Sequence, residues 1–128
     1  MNQIRNIKGT RDILPTEIQK WQELEKIVHE VCNQFGYHEI RTPVFEETGL
    51  FSRTVGENTD IVSKEMYSWN DNDGKSLTLR PELTAPVARS YIQNNLGSQS
   101  NIQRLYYMGP LFRRERPQKG RQRQFHQF

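Results

Sequence analysis

The residues best suited to chemistry in this 128-residue chain are an arginine and a glutamate two positions apart, Arg113 and Glu115 in Phe112-Arg113-Arg114-Glu115-Arg116. Side chains alternate along a strand, so both would share one face. A guanidinium there could grip a phosphate, while the carboxylate accepts from an exocyclic amino group such as that of adenine. The run Pro117-Gln118-Lys119-Gly120-Arg121-Gln122 adds two cations and a glycine. Phe125, on a returning strand, offers a ring on which a base could stack. From composition alone the segment reads equally as a polyphosphate grip or as a solvated basic hairpin or general nucleic-acid patch. A second group lies in Leu79-Arg80-Pro81-Glu82-Leu83-Thr84-Ala85-Pro86. Glu82 and Thr84 at the mouth of a helix could bind an ammonium group through charge-assisted hydrogen bonds. An acid at a helix start also complements the helix dipole without any ligand, and taken alone the segment favours that plainer reading.

The charge distribution sharpens the first group. Of 18 basic and 15 acidic residues, seven basic and one acidic lie in residues 104–128, which are net +6, while residues 1–103 are net −3. Such asymmetry points to an anionic partner at one end. A mean hydropathy of −0.89 and 34% hydrophobic residues suit a soluble globular chain, one domain or part of one, with a modest core. No stretch approaches a membrane span, and the first ten residues hold no apolar run resembling a signal peptide. Cys32 is the only cysteine, so a reduced, cytoplasmic protein is expected. His29, His38 and His126 lack zinc-type spacing, so no metal is expected on protein side chains, and His29 reads as a packing or surface residue.

The elements that must position these residues follow from periodicity and punctuation. After a polar lead-in broken at Gly9-Thr10, Thr16 and Gln19 stand in capping-box spacing. Ile18, Trp21, Leu24, Ile27, Val28, Val31, Cys32 and Phe35 then form a helical stripe, with Gly36 placed to end it. Residues 37–45 read as a strand interrupted by Pro43, which suits an edge or an interface. Residues 48–59 read as loop with a short helix around 50–53. Residues 65–69 and 76–79 read as a hairpin across Asn70-Asp71-Asn72-Asp73-Gly74. A second helix is expected just after Pro81, with Leu83, Val87, Ala88, Tyr91 and Ile92 as its buried stripe and Pro86 disturbing its first turn. Residues 105–108, 111–116 and 123–128 read as three further strands. The order implies an α+β fold with a mostly antiparallel sheet flanked by helices.

Motif by motif, the chain resembles the N-terminal part of histidyl-tRNA synthetases, which are class II aminoacyl-tRNA synthetases. The pieces that carry the likeness are Lys8-Gly9-Thr10-Arg11-Asp12, Tyr37-His38-Glu39-Ile40-Arg41-Thr42-Pro43, Leu79-Arg80-Pro81-Glu82 with Thr84, and Phe112-Arg113-Arg114-Glu115-Arg116 through Gln124-Phe125-His126-Gln127. The resemblance implies that residues 1–128 are the N-terminal portion of a class II catalytic domain. The helix ending at Gly36 and the segment with Pro43 would be motif 1, at a homodimer interface. Residues 112–127 would be motif 2, with Arg113 on the α-phosphate of ATP, Glu115 on the adenine amino group, Phe125 against the base and Arg121 at the γ-phosphate. Glu82, Thr84 and Gln127 would bind the α-amino group of histidine, and Arg116 and Gln118 the acceptor end of tRNA(His). ATP would arrive with Mg²⁺ held mainly by phosphate oxygens.

The same resemblance implies a truncated site. Motif 3 and the segment that reads the imidazole are not among these residues, so the chain alone is expected not to complete the reaction. Two rival readings remain from the sequence. One is the synthetase-like regulatory subunit of ATP phosphoribosyltransferase; the other is a non-catalytic nucleic-acid-binding module that uses the basic hairpin.

Overall fold

The computed structural model describes residues 3–55, 64–114 and 116–128, with backbone only at 54 and 55. In chain order the elements are α1 (Pro15–Gln34), β1 (His38–Glu39), β2 (Phe45–Glu47), α2 (Thr48–Val55), β3 (Ser68–Asn70), β4 (Ser76–Leu79), α3 (Thr84–Gln93), a 3-10 turn (Leu96–Ser98), β5 (Leu105–Tyr106), β6 (Gly109–Phe112) and β7 (Gln124–Gln127). Strand pairs β2–β4, β3–β4 and β6–β7 are antiparallel, while β1 and β5 run parallel. The result is an α+β fold, mostly antiparallel.

Helix α1 starts differently from the capping-box expectation. Pro15 takes the first helical position, where a missing N–H costs nothing, and Leu14 stands before it with no side-chain cap. Thr16 lies inside the helix, so its hydroxyl cannot play the capping part. The other end follows the expected pattern. Gly36 has φ +71°, Gly36 N donates to Asn33 O, and Tyr37 N donates to Cys32 O, which satisfies the last carbonyls. The apolar stripe is real but only partly covered: Ile18, Trp21, Val28 and Cys32 are half-buried, and no α1 residue is fully buried.

Residues 37–45 do not form one strand. Pro43 lies in the irregular stretch between β1 and β2, consistent with its missing donor. The hairpin of β3 and β4 is shifted at its start, since Glu65 and Met66 are not in the strand, and Asn70 pairs with Ser76 across the turn. In this three-stranded sheet Phe45, Leu79, Leu77 and Trp69 share a face by register, and Phe45 and Trp69 are exposed on it. Thr78, fully buried on the other face, hydrogen bonds the hydroxyls of Thr48 at 2.8 Å and Ser68 at 2.7 Å. Phe51, Met66 and Ala85 form the small core, with Leu50 against it.

The fold turns on Arg80. Only 4% exposed, its Nε donates to Pro110 O at 2.9 Å and its Nη1 to Thr42 O and Pro43 O at 3.0 and 3.3 Å. Its backbone donates to Val44 O and accepts from Phe112 N. One side chain thus staples the Pro43 segment to β6. Burial lowers its pKa, with Glu46 opposing. Gly109 leaves the room required, because a Cβ there would collide with Arg80 Nη2.

Candidate functional site

The register of β6 with β7 builds the site face. Leu111 pairs with Phe125 and Gly109 with Gln127, and Arg113 N donates to Arg123 O at 2.9 Å just beyond the strand. Alternation then sets Arg113, Phe125 and Gln127 on one face. Strand β6 ends at Phe112, short of the 111–116 expected, although the pairing reaches Arg113. The Arg113 guanidinium lies 5.3 Å from the centroid of the Phe125 ring, a cation–π distance. Its Nε donates to Pro81 O at 3.0 Å. Arg114 goes to the opposite face, over Tyr67 at 5.7 Å. Glu115 lies outside the described residues.

Glu82 and α3 are matched by a full accounting of the helix start. The first amide, Thr84 N, donates to Glu82 Oε2 at 2.6 Å. The second, Ala85 N, reaches both carboxylate oxygens at 3.0 and 3.1 Å. Pro86, third in the helix, has no N–H to satisfy, and Val87 N donates to Leu83 O. Pro86 therefore does not disturb the turn as expected; it removes an orphan donor. The expected stripe holds only at its start: Leu83 is buried and Val87 half-buried, whereas Ala88, Tyr91 and Ile92 are exposed, Ile92 at 76%, and Ala85 and Pro86 are covered instead. Arg89 on α3 is fixed to Glu46 on β2 by a 2.7 Å ion pair.

Glu82, Thr84 and Gln127 all line one cavity of about 430 Å³, with Tyr107, Tyr106 and Cys32 among the other walls. Tyr107 Oη stands 3.5 Å from Thr84 Oγ1. The cavity combines a carboxylate, hydroxyls, an amide and apolar surface, a donor set able to hold a small ammonium-bearing molecule. A carboxylate offers about four lone-pair sites, so the cap leaves acceptor capacity. Beside it is a second space of about 640 Å³ between α1 and the strands. There His29 Nδ1 lies 2.5 Å from Tyr106 Oη, and burial, with Glu39 nearby, raises the phenol's pKa.

The remaining expected residues lie elsewhere. Gln118 and Arg121 pair backbone to backbone around Lys119-Gly120, with Gly120 at φ +79°. Arg116, Gln118 and Arg121 are exposed. They are not on the cavity wall. Pro43 is exposed, with its carbonyl accepting from Arg80 Nη1 at 3.3 Å, and it lies off the cavity wall. Among the described residues no group of three or more His, Cys, Asp or Glu could hold a metal ion. Nor is any described helix long and apolar enough to cross a membrane.

Sequence reading missed Arg80, Tyr107 and Gly9. Nothing in a lone arginine signals burial. Tyr107, next to a two-residue strand, carried only the weak signal of an aromatic pair. Gly9 was legible as a break but not as a contact: its carbonyl accepts from Arg123 N at 2.7 Å.

Comparison with known proteins gives a consistent picture. The family model described as histidyl-tRNA synthetase matches residues 9–128. A histidine–tRNA ligase of Solibacter usitatus is 58% identical over 124 residues, covering 97% of this chain and 30% of that protein. One from Geobacillus sp. is 58% identical over 122 residues, covering 94% and 29%. The crystal structure of apo S. aureus histidyl-tRNA synthetase matches at a TM-score of 0.75 and 40% identity, over 97% of this chain and 27% of that one. A Bacillus halodurans structure, described as an ATP phosphoribosyltransferase regulatory subunit/histidyl-tRNA synthetase, matches at a TM-score of 0.78 and 26% identity, over 98% and 31%. The chain spans about 30% of the length of the curated relatives it matches.

Proposed function

This chain belongs to the histidyl-tRNA synthetase family, and on that premise we propose that it supplies the ATP-gripping and amino-group-binding part of a histidine–tRNA ligase. The observation that carries the reading is the joining of two groups. Glu82, Thr84 and Gln127 share one cavity, and Arg113 is hydrogen bonded to the carbonyl of Pro81, the residue before Glu82. An arginine suited to a phosphate and a carboxylate suited to an ammonium are thereby tied at the chain level. The regulatory-subunit reading draws on a 26% identical structure, against ligase relatives at 58%.

In this reading the α-amino group of histidine enters the acceptor capacity left on Glu82, with Thr84 and Gln127 completing its shell. The histidine carboxylate attacks the α-phosphorus of ATP in line, forming the acyl–phosphate bond and expelling pyrophosphate. Negative charge gathers on the phosphoryl oxygens, so a fixed guanidinium matters more than a general base. Arg113 has that fixity through Pro81 O. Phe125 would turn from Arg113 toward the adenine, Glu115 would accept from its amino group, and Arg121 would meet the γ-phosphate from its exposed turn. Mg²⁺ enters as part of the ATP substrate. Arg116 and Gln118, both exposed, suit the acceptor end of tRNA(His), whose terminal ribose takes the histidyl group. Pro43, with exposed Val44, Phe45 and Trp69, suits a homodimer contact.

Calorimetric titration with histidine and with its deaminated analogue, imidazole propionate, tests the amino-group assignment. Histidine is expected to bind at least about tenfold more tightly, the value of one charge-assisted hydrogen bond. Equal affinity would remove Glu82 and Thr84 from the role.

A further inference from the structure

Strand β7 carries Phe125 and Gln127 and, among the described residues, pairs with one strand, β6. What holds its start from outside that pair is the lead-in segment. Gly9 O accepts from Arg123 N at 2.7 Å and from Gln124 N at 3.4 Å, and Arg123 O in turn accepts from Arg113 N at 2.9 Å. A backbone path of two hydrogen bonds thus runs from Gly9 to the proposed phosphate arginine. Only glycine fits here. Its φ is +90°, and a Cβ would stand 2.8 Å from Pro117 Cγ and 2.9 Å from Arg123 Cγ.

A second anchor reaches the same strand from the face away from the site. Arg11 donates from Nη1 and Nη2 to the two Glu17 oxygens at 2.8 and 2.7 Å, a bidentate fork. Trp21 Nε1 donates to Glu17 Oε1 at 3.3 Å. The Trp21 ring then meets His126 edge-on, with centroids 5.0 Å apart. Alternation turns His126 away from Phe125 and Gln127. The lead-in is itself braced, since Thr10 N and Oγ1 both donate to Ile7 O, and Asn6 Nδ2 donates to Thr10 O.

We propose that Gly9, Thr10 and Arg11, with Glu17 and Trp21, form a clasp that fixes β7 and so positions Phe125 and Gln127 in the site. Its positioning role rests on the reading of that face given above. The clasp residues touch no substrate; they act through β7. The segment that looks like a tail is a structural part of the nucleotide grip.

Amide hydrogen exchange tests the clasp itself, and ATP titration tests what it positions. In Gly9→Ala the Arg123 and Gln124 amides should exchange at least about tenfold faster, given the strain of a side chain at that φ. In Arg11→Gln the increase should be about threefold, as for an exposed but bidentate pair, and Arg11→Lys, which keeps a cation beside Glu17 and leaves Glu17 to accept from Trp21 Nε1, should restore most of the protection. Leu79 N, bonded to Tyr67 O in the separate three-stranded sheet, serves as the control and should not change. ATP affinity should fall by matching factors. Should Gly9→Ala not fold, Arg11→Gln and Arg11→Lys decide the matter. Unchanged exchange at Arg123 and Gln124 overturns the clasp whether or not ATP binds. Faster exchange with undiminished ATP affinity overturns the positioning. If the unaltered chain takes up no ATP, the site reading fails instead, and exchange alone judges the clasp.

Discussion

Arg80 and Arg121 are both arginines on segments flanking the site, and the molecule treats them oppositely. Arg80 is buried, with three backbone carbonyls as acceptors and a pKa lowered by burial. Arg121 is exposed on a turn closed by backbone hydrogen bonds between Gln118 and Arg121. One arginine holds segments together and the other is presented to solvent. The proposed amino-acid half of the site is built on the first kind of residue, around a capped helix start. The proposed nucleotide loop is built on the second. A rigid half next to a presented half is what a site needs if one ligand must be oriented closely and the other captured by its charges.

Breaking the rigid half gives the largest expected effect. Arg80→Ala leaves the carbonyls of Thr42, Pro43 and Pro110 without this donor, at about 1–3 kcal/mol each. Thermal or urea unfolding should show a loss of at least about 3 kcal/mol, and a variant that melts like the parent would refute the staple. Arg89→Ala should cost less, about 2 kcal/mol, because Glu46, with only 11% of its side chain exposed, loses its ion-pair partner. Arg121→Ala sharpens the contrast from the other side. Its unfolding free energy should stay within about 0.5 kcal/mol, while ATP affinity drops roughly tenfold. A change in stability without a change in affinity would reverse the assignment.

The smallest effect concerns pH. The fork with Arg11, and then the Trp21 hydrogen bond, holds the Glu17 carboxyl down at about 2. A carboxyl depressed in the folded state contributes stability that is complete above its unfolded value and is lost as pH falls through the folded one. The Trp21 to His126 contact should therefore persist through mild acid and loosen only between about pH 4.5 and 2. Fluorescence of Trp21 in a Trp69→Phe background would follow it. Release already at pH 6 would contradict the fork.

Much of this was legible in the residues, and the remainder divides by physical cause. Gly36 at the end of α1, the β3–β4 turn and the pairing of the last two strands were read from local rules, because backbone conformation and turn chemistry are local. Glu82 was correctly placed at a helix mouth for the same reason. The buried side of α3 was not legible. Ile92 has the helical spacing of a core residue yet is exposed, since burial depends on what packs against the helix and not on its own period. Pro86 was misjudged because its effect depends on its offset from a helix start that propensity does not fix to one residue. The capping box failed when Pro15 claimed the first helical position. Arg80 needed tertiary structure: the partners of a buried arginine come from residues 30 and more positions away.

Arg113, held by Pro81 O beside Glu82, is the proposed phosphate-gripping residue of an ATP and histidine site. Titration of Mg·ATP into this chain and into Arg113→Ala, with thermal unfolding measured on both, tests it most directly. The account predicts binding that weakens by at least about tenfold, with the Arg113→Ala chain still folded. Equal affinities, or no binding by the unaltered chain, would contradict it.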